Sequence, residues 1–283
     1  MEFWERLLDA GHLPFFAVLA GLFFFLARAV VQSATRAAWL ALAASVTIAA
    51  GIELIQPLAG RSASLTDFLN GVAGALLFGV GVAVHAQGGG RARLLVYLAL
   101  CVIVTVAVFR PPWLEFKGIL WRRANFPVLG DFETAPELRL WVGQGGTDTS
   151  QTRLSLSTNA VTRGTFGLRI DAAQGDWGGV TYSAGEMDWS SYSVLRFDLF
   201  NPGTAFRLGV RVSDDGDCSA IGKRFDRELE VPSGWTHVRI TSEDIKHGPK
   251  NRLLNLRSIR RLTLFGGQNQ PARTFYLDAA CLE

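Results

Sequence analysis

Glu53, Gln56, Arg61, Asp67 and Asn70 fall within one short stretch, GIELIQPLAGRSASLTDFLNG (51–71), between long apolar runs. Ionisable groups at membrane depth are costly, and they tend to face a protein interior or a polar cavity. Glu53 and Gln56 are three residues apart and share a helix face. Asp67, Asn70, Gly71 and Gly74 follow i, i+3, i+4, i+7 spacing and form one stripe of a second helix. Asp9 and His12 precede the first apolar run. Together these residues supply carboxylates, an imidazole, two amides and a guanidinium for one pocket. Arg61 suits phosphate or carboxylate recognition. Glu53 and Asp67 can bind sugar hydroxyls or, with His12, exchange protons. Part of this polarity also has a purely structural explanation. Ser64 can cap the second helix, with Asp67 at N3 of a capping box, and Asp67 suits the positive helix end. Asn70 can hydrogen-bond across helices. Glu53 has no such local partner.

The elements that must position these groups are apolar spans at about 12–31, 37–56, 65–86 and 94–109. A bilayer core needs about 20 helical residues, so the fourth span must borrow from its flanks. The first run opens on acids rather than a basic stretch and reads as a retained helix, not a signal peptide. Arg28, Arg36, Arg91 and Arg93 flank one side of the spans; Arg6 and Arg61 flank the other. Basic residues in short loops favour the cytoplasm. That places the N-terminus, the 57–64 loop and everything after the fourth span outside it. Arg110, Lys117, Arg122 and Arg123 argue the other way, but they adjoin a long domain where the rule is weaker. The polar residues named above then share the outer face.

Residues 126–283 have a different character. Leu195, Phe197 and Leu199 alternate with Arg196 and Asp198. Phe206, Leu208, Val210 and Val212 alternate with Arg207 and Arg211. Similar short strands, separated by turns such as NPG and PSG, continue to the end. Many strands without a long helix predict a β-sandwich. The fold class is therefore a multidomain membrane protein, with a four-helix transmembrane bundle (1–110), a juxtamembrane connector (111–125) and a β-sandwich (126–283). The charge is split: the first 125 residues hold 10 Lys+Arg and 6 Asp+Glu, the remainder 18 and 19. No basic run supports nucleic-acid binding. The 3 cysteines match no zinc pattern. Cys101 reads as packing, and Cys218 and Cys281 can pair as a disulfide if the domain is exported. No nucleophile motif or phosphate loop is present, and no catalytic residue is assigned.

G-x-E-x-x-Q, a short loop with Arg, and S-x-x-D-x-x-x-N-G-x-x-G, together with the upstream D-x-x-H, resemble the VanZ-like family over about residues 1–86, with one departure: in SLTDFLNGVAG, Asp67 and Asn70 are spaced D-x-x-N. The resemblance implies a small multi-helix membrane fold acting at the cell envelope; read physically, Asp9, His12, Glu53, Gln56, Arg61, Asp67 and Asn70 are the candidate ligand-binding set. The later motifs GDFE, DWSSYSVLRFDLFNPG, GWTHVRI and YLDAACLE resemble galactose-binding-like jelly rolls, a group that includes carbohydrate-binding modules. In such modules acids near the first and last strands share a structural calcium. Asp131, Glu133 and Asp278 match those places, with a surface ion pair as the alternative; no other cofactor is implied. Sugar binding needs exposed aromatic faces: Trp177 and Tyr182 first, then Trp141, with Trp189 and Trp235 expected in the core. Arg196, Asp198, Arg207 and Arg211 read as a solvated face with cross-strand ion pairs. The expected protein is a multi-pass inner-membrane protein of the bacterial envelope, with a periplasmic carbohydrate-binding domain. Its partners would be a glycan and a membrane lipid or lipid-linked intermediate. An enzyme using Glu53, Asp67 and His12, and a plain anchor for a protein-interaction domain, are the alternatives.

Overall fold

A computed structural model of the chain describes residues 2–59, 63–147, 150–183, 185–214 and 222–283. It divides into two compact units, Met1–Leu114 and Glu115–Glu283. The first contains α1 (Glu2–Arg28), α2 (Ala34–Ile55), α3 (Leu65–Ala86) and the larger part of α4 (Arg91–Asn125). All four helices are long and apolar enough to cross a membrane, with mean hydropathy from 1.7 to 2.5 over their most apolar windows. Little of this apolar surface is covered by protein. None of the α4 window is buried, and Val18, Phe25, Leu54 and Val96 are exposed. Apolar faces this extensive call for an apolar surrounding phase, so the unit reads as membrane-spanning.

Helices α1, α2 and α3 meet through small side chains. Ala10, Ala20, Ala37, Ala41, Ala49 and Ala75 are buried, and the Gly71–Gly74 stripe of α3 faces α1. A Cβ on Gly74 would lie 2.1 Å from the Leu13 carbonyl oxygen, so the two backbones approach as closely as only glycine permits. Two boundaries differ from expectation. α1 begins at Glu2, so Asp9 and His12 lie inside it rather than ahead of it. α4 continues through Pro111 and Pro112 to Asn125, where a connector was expected. Each proline removes a backbone donor. The helix nevertheless carries on to Trp121, which packs against the core of the second unit, so tertiary packing outweighs local breaking.

The second unit holds β1 (Val128–Gly130), β2 (Trp141–Gln144), β3 (Gly146–Thr147), β4 (Ser150–Gln151), β5 (Arg153–Ser157), β6 (Gly167–Ala172) and β7 (Gly179–Tyr182). These are followed by β8 (Val194–Asn201), β9 (Phe206–Asp214), β10 (Phe225–Val231), β11 (Gly234–Thr241), the short helix α5 (Ser242–Lys246), β12 (Ile259–Phe265) and β13 (Arg273–Leu282). One antiparallel sheet has the order β11-β8-β13-β6-β5, with β1 on β13; the other has the order β10-β9-β12-β7-β2. Alternate residues of each strand enter the core between the sheets: Leu195, Phe197 and Leu199 from β8, and Leu208, Val210 and Val212 from β9. This is a β-sandwich, as the period-2 patterning predicts, of the jelly-roll type that the resemblance implies.

The α1–α3 contact gives a direct test. Gly74→Val must push against the α1 backbone, and overpacking costs about 1–3 kcal/mol or more. Gly79→Ala meets nothing within 4 Å. Thermal unfolding of the purified protein in detergent is expected to show a clear loss for the first variant and little change for the second.

Candidate functional site

The outward positions of the β10-β9-β12-β7-β2 sheet form a polar face. Its registers set Asp226 opposite Arg211, Arg211 opposite Thr263, and Thr263 opposite Thr181. The Thr181 hydroxyl donates to Gln144 Oε1 at 2.8 Å and lies 3.1 Å from the Thr263 hydroxyl. A cleft of about 820 Å³ opens on this face beside Trp177 and Phe265. The Phe265 ring lies across Gly209, where a Cβ would come within 2.5 Å of it. The Arg211 guanidinium sits 4.3 Å from the centroid of the same ring, and its Nε donates to Asp226 Oδ1 at 2.7 Å. Arg224 Nε donates to Asp226 Oδ2 at 2.9 Å. Trp177 meets Phe265 edge-on, with centroids 5.7 Å apart. Its φ of 59° is rarely adopted by bulky residues, and its side chain is left 43% exposed.

Trp177 is thus placed where a sugar ring can stack. Tyr182 and Trp141, also expected to bind sugar, are not: they are 0% and 2% exposed. Both fall on the inward parity of β7 and β2, and the Trp141 indole N–H donates to the Leu129 carbonyl at 3.2 Å. Trp189 is core, as expected. Trp235 is not core but 38% exposed, resting against Phe200 on the outer face of the other sheet. Phe265 and Asp226 were not singled out in the sequence. Their only signal is alternation, since each occupies an outward position in IRRLTLF and FDRELEV. The charged residues form the expected pairs: Arg207 with Glu228 at 3.2 Å and Arg196 with Glu283 at 2.9 Å. Asp198 is buried and lies 2.7 Å from His237 Nδ1.

Asp131, Glu133 and Asp278, the acids matched to a calcium position, each accept a backbone N–H group. Asp278 Oδ2 accepts the Thr162 and Arg163 N–H groups at 2.7 and 3.0 Å. Glu133 Oε1 accepts those of Thr165 and Phe166 at 2.8 and 2.9 Å. Glu137, unnoticed in the sequence although TAPE is a capping-box pattern, accepts the Asp131, Phe132 and Thr134 N–H groups. Cys281 is in no disulfide among the described residues, and Cys218 lies outside them.

In the helical unit the expected polar residues largely converge. The Asn70 amide donates to the Asp9 carbonyl at 3.0 Å. Glu53 Oε2 accepts the Ser64 N–H at 2.6 Å, so the residue without a local partner finds one across the loop. Ser64 caps α3 by accepting the Asp67 N–H at 3.2 Å. The Asp67 carboxyl lies beside that of Asp9, within electrostatic reach of His12 and Glu53. It is 3% exposed, and its Oδ1 has no hydrogen-bond partner. Gln56 is buried at the end of α2, with its Oε1 unpartnered. Arg61 lies outside the described residues.

A family model described as carbohydrate binding domain (family 11) matches residues 123–248. Over these residues the second unit, a jelly roll, is similar to family 11 carbohydrate-binding domains. Among solved structures, the family 11 module from Clostridium thermocellum in complex with a β-1,3-1,4-mixed-linked tetrasaccharide is 18% identical. That alignment covers 55% of this chain and 93% of that one, with a TM-score of 0.45. The family 30 module of a cellulosomal cellulase of Clostridium thermocellum is also 18% identical, over 51% of this chain and 91% of that one, with a TM-score of 0.41. Comparison with curated proteins gives no match.

Burial pushes the Glu137 carboxyl up to about 7, with the adjacent Asp131 carboxyl adding to the rise and Thr134 offsetting part of it. A carboxyl raised in the folded state contributes stability that is fully present below its unfolded pKa of about 4.3 and lost as pH rises through the folded value. The unfolding temperature of the β-sandwich is therefore expected to fall between pH 5 and pH 8, and Glu137→Gln should flatten that slope. A scan of melting temperature against pH on both proteins checks it.

Proposed function

We propose that this protein is a glycan receptor of the bacterial cell envelope, held in the inner membrane by its four apolar helices. Its jelly roll would stand on the extracytoplasmic side. The observation that carries this reading is the cleft, where an exposed indole at Trp177 adjoins the hydrogen-bonding side chains of Arg211 and Asp226 on the sheet and of Gln270 in the segment between β12 and β13. An apolar platform beside fixed donors and acceptors is what a sugar ring requires, since its C–H faces are apolar and its rim is hydroxyl. The family match over the same unit supports it.

In this proposal the helical unit is more than an anchor. Its resemblance to VanZ-like proteins and the gathering of Asp9, His12, Glu53, Asp67 and Asn70 support a site for the head group of a lipid-linked envelope intermediate. A second reading, acid–base chemistry by Glu53, Asp67 and His12, draws on the buried Asp67 Oδ1, which faces acids and an imidazole without a hydrogen-bond donor of its own.

Trp177→Ala is expected to weaken glycan binding by roughly tenfold or more, as losing a stacked anchor does, while leaving the melting temperature nearly unchanged. Glycan-array binding of the full-length protein in detergent measures it; unaltered binding would remove the cleft from consideration. Glu53→Gln and Asp67→Asn are expected to abolish the cellular function while the protein still accumulates in the membrane. Normal function in both would leave the helices as an anchor. Turnover of a lipid-linked sugar by purified protein, lost in Asp67→Asn, would favour the enzymatic reading.

A further inference from the structure

The cleft carries a charge imbalance that bears on which glycans it takes. Among its described lining residues Arg207, Arg211 and Arg224 face Asp226 and Glu228, while Arg227 borders the cleft from the inward parity of β10, opposite Val210. Asp226 is shared, with Arg211 on one oxygen and Arg224 on the other. Arg227 pairs at 3.0 Å with Asp244, which is not part of the lining. Arg207 meets Glu228 at 3.2 Å, but its side chain is 79% exposed. An ion pair this open to water is weak and exchanges readily for another anion.

The aromatic surface points the same way. Recognition of a neutral glycan relies on uncovered ring faces. Here one face of Phe265 is occupied by the Arg211 guanidinium, which leaves Trp177 as the exposed aromatic wall of the cleft. What the cleft offers instead is planar guanidinium groups, whose paired N–H donors match carboxylate and sulfate oxygens. Arg207 and Arg211 project from the same face of β9, four residues apart, which is about 13 Å along a strand. One small anion cannot bridge that distance, whereas a chain bearing anionic groups at intervals can.

We propose that the cleft binds an acidic polysaccharide, with carboxylate or sulfate groups held by Arg207 and Arg211 and a sugar ring stacked on Trp177. The proposal rests on the glycan-receptor reading above and narrows it to an anionic class.

The test uses full-length protein in detergent with three soluble probes: polygalacturonate, carboxymethyl cellulose, and hydroxyethyl cellulose as the neutral chain on the same backbone. Both acidic probes are expected to bind at least about tenfold tighter than the neutral one at low salt, with the gap narrowing at high salt. The double variant Arg207→Gln, Arg211→Gln should lose that advantage at an unchanged melting temperature. Arg211→Lys, which keeps the charge without the planar fork, should fall between the two. Equal or tighter binding of hydroxyethyl cellulose would overturn the acidic assignment and leave the glycan reading standing. Binding matched by polyglutamate, or unaffected by Trp177→Ala, would be plain ion exchange and would also overturn it. Failure of all three polysaccharides to bind would remove the glycan reading itself.

Discussion

Wherever water is excluded from this chain, polar backbone groups need partners within the protein, and both units are arranged around that requirement. An unpaired N–H or C=O in an apolar setting costs several kcal/mol. Helices satisfy the requirement internally, which is why the apolar half is helical. Sheets satisfy it between strands, and the loops that leave them need another source. In the jelly roll that source is acidic side chains, buried at Asp278 and Glu137 and partly buried at Glu133: each accepts two or more backbone N–H groups from segments that pair with no strand. These acids fasten the loops of the fold.

The same requirement shapes the cleft. Strands β9, β10 and β12 are paired along their length, so their outward side chains stand in fixed rows. Cross-strand neighbours then acquire roles that none has alone. Gly209 leaves room for the Phe265 ring, the ring supports the Arg211 guanidinium, and Asp226 holds that guanidinium in place. Pre-set geometry of this kind lowers the entropic cost of recognition. The helical cluster has the opposite character. Glu53, Asn70 and Ser64 are satisfied, while Asp67 Oδ1 is buried without a donor. A buried polar atom left unserved is a costly feature for a structural element to retain.

Much of this was legible in the chain itself. The strands VLRFDLFN and FRLGVRVSD occur with the bounds their alternation predicts. The Ser64 cap and the glycine stripe of α3 follow directly from spacing. Parity was harder to read. Tyr182 and Trp141 are aromatic and polar-tipped like Trp177, yet they sit on the core side of their strands. Trp235 sits on the outer side of its strand although its place at the strand start suggested the core. A one-residue change of register exchanges the two faces, and residue type alone does not specify register.

By itself the sequence determined the apolar spans, the β-alternation and the local caps, because each depends on side chains a few residues apart. Only the tertiary structure decided which acids meet and which strands become neighbours. It also decided which aromatic rings face outward, and that α4 continues past two prolines. Those outcomes depend on contacts between residues far apart in the chain. Asp278 with Thr162, Arg211 with Asp226 and Phe265 with Gly209 are brought together by sheet order and register, and no local spacing encodes either.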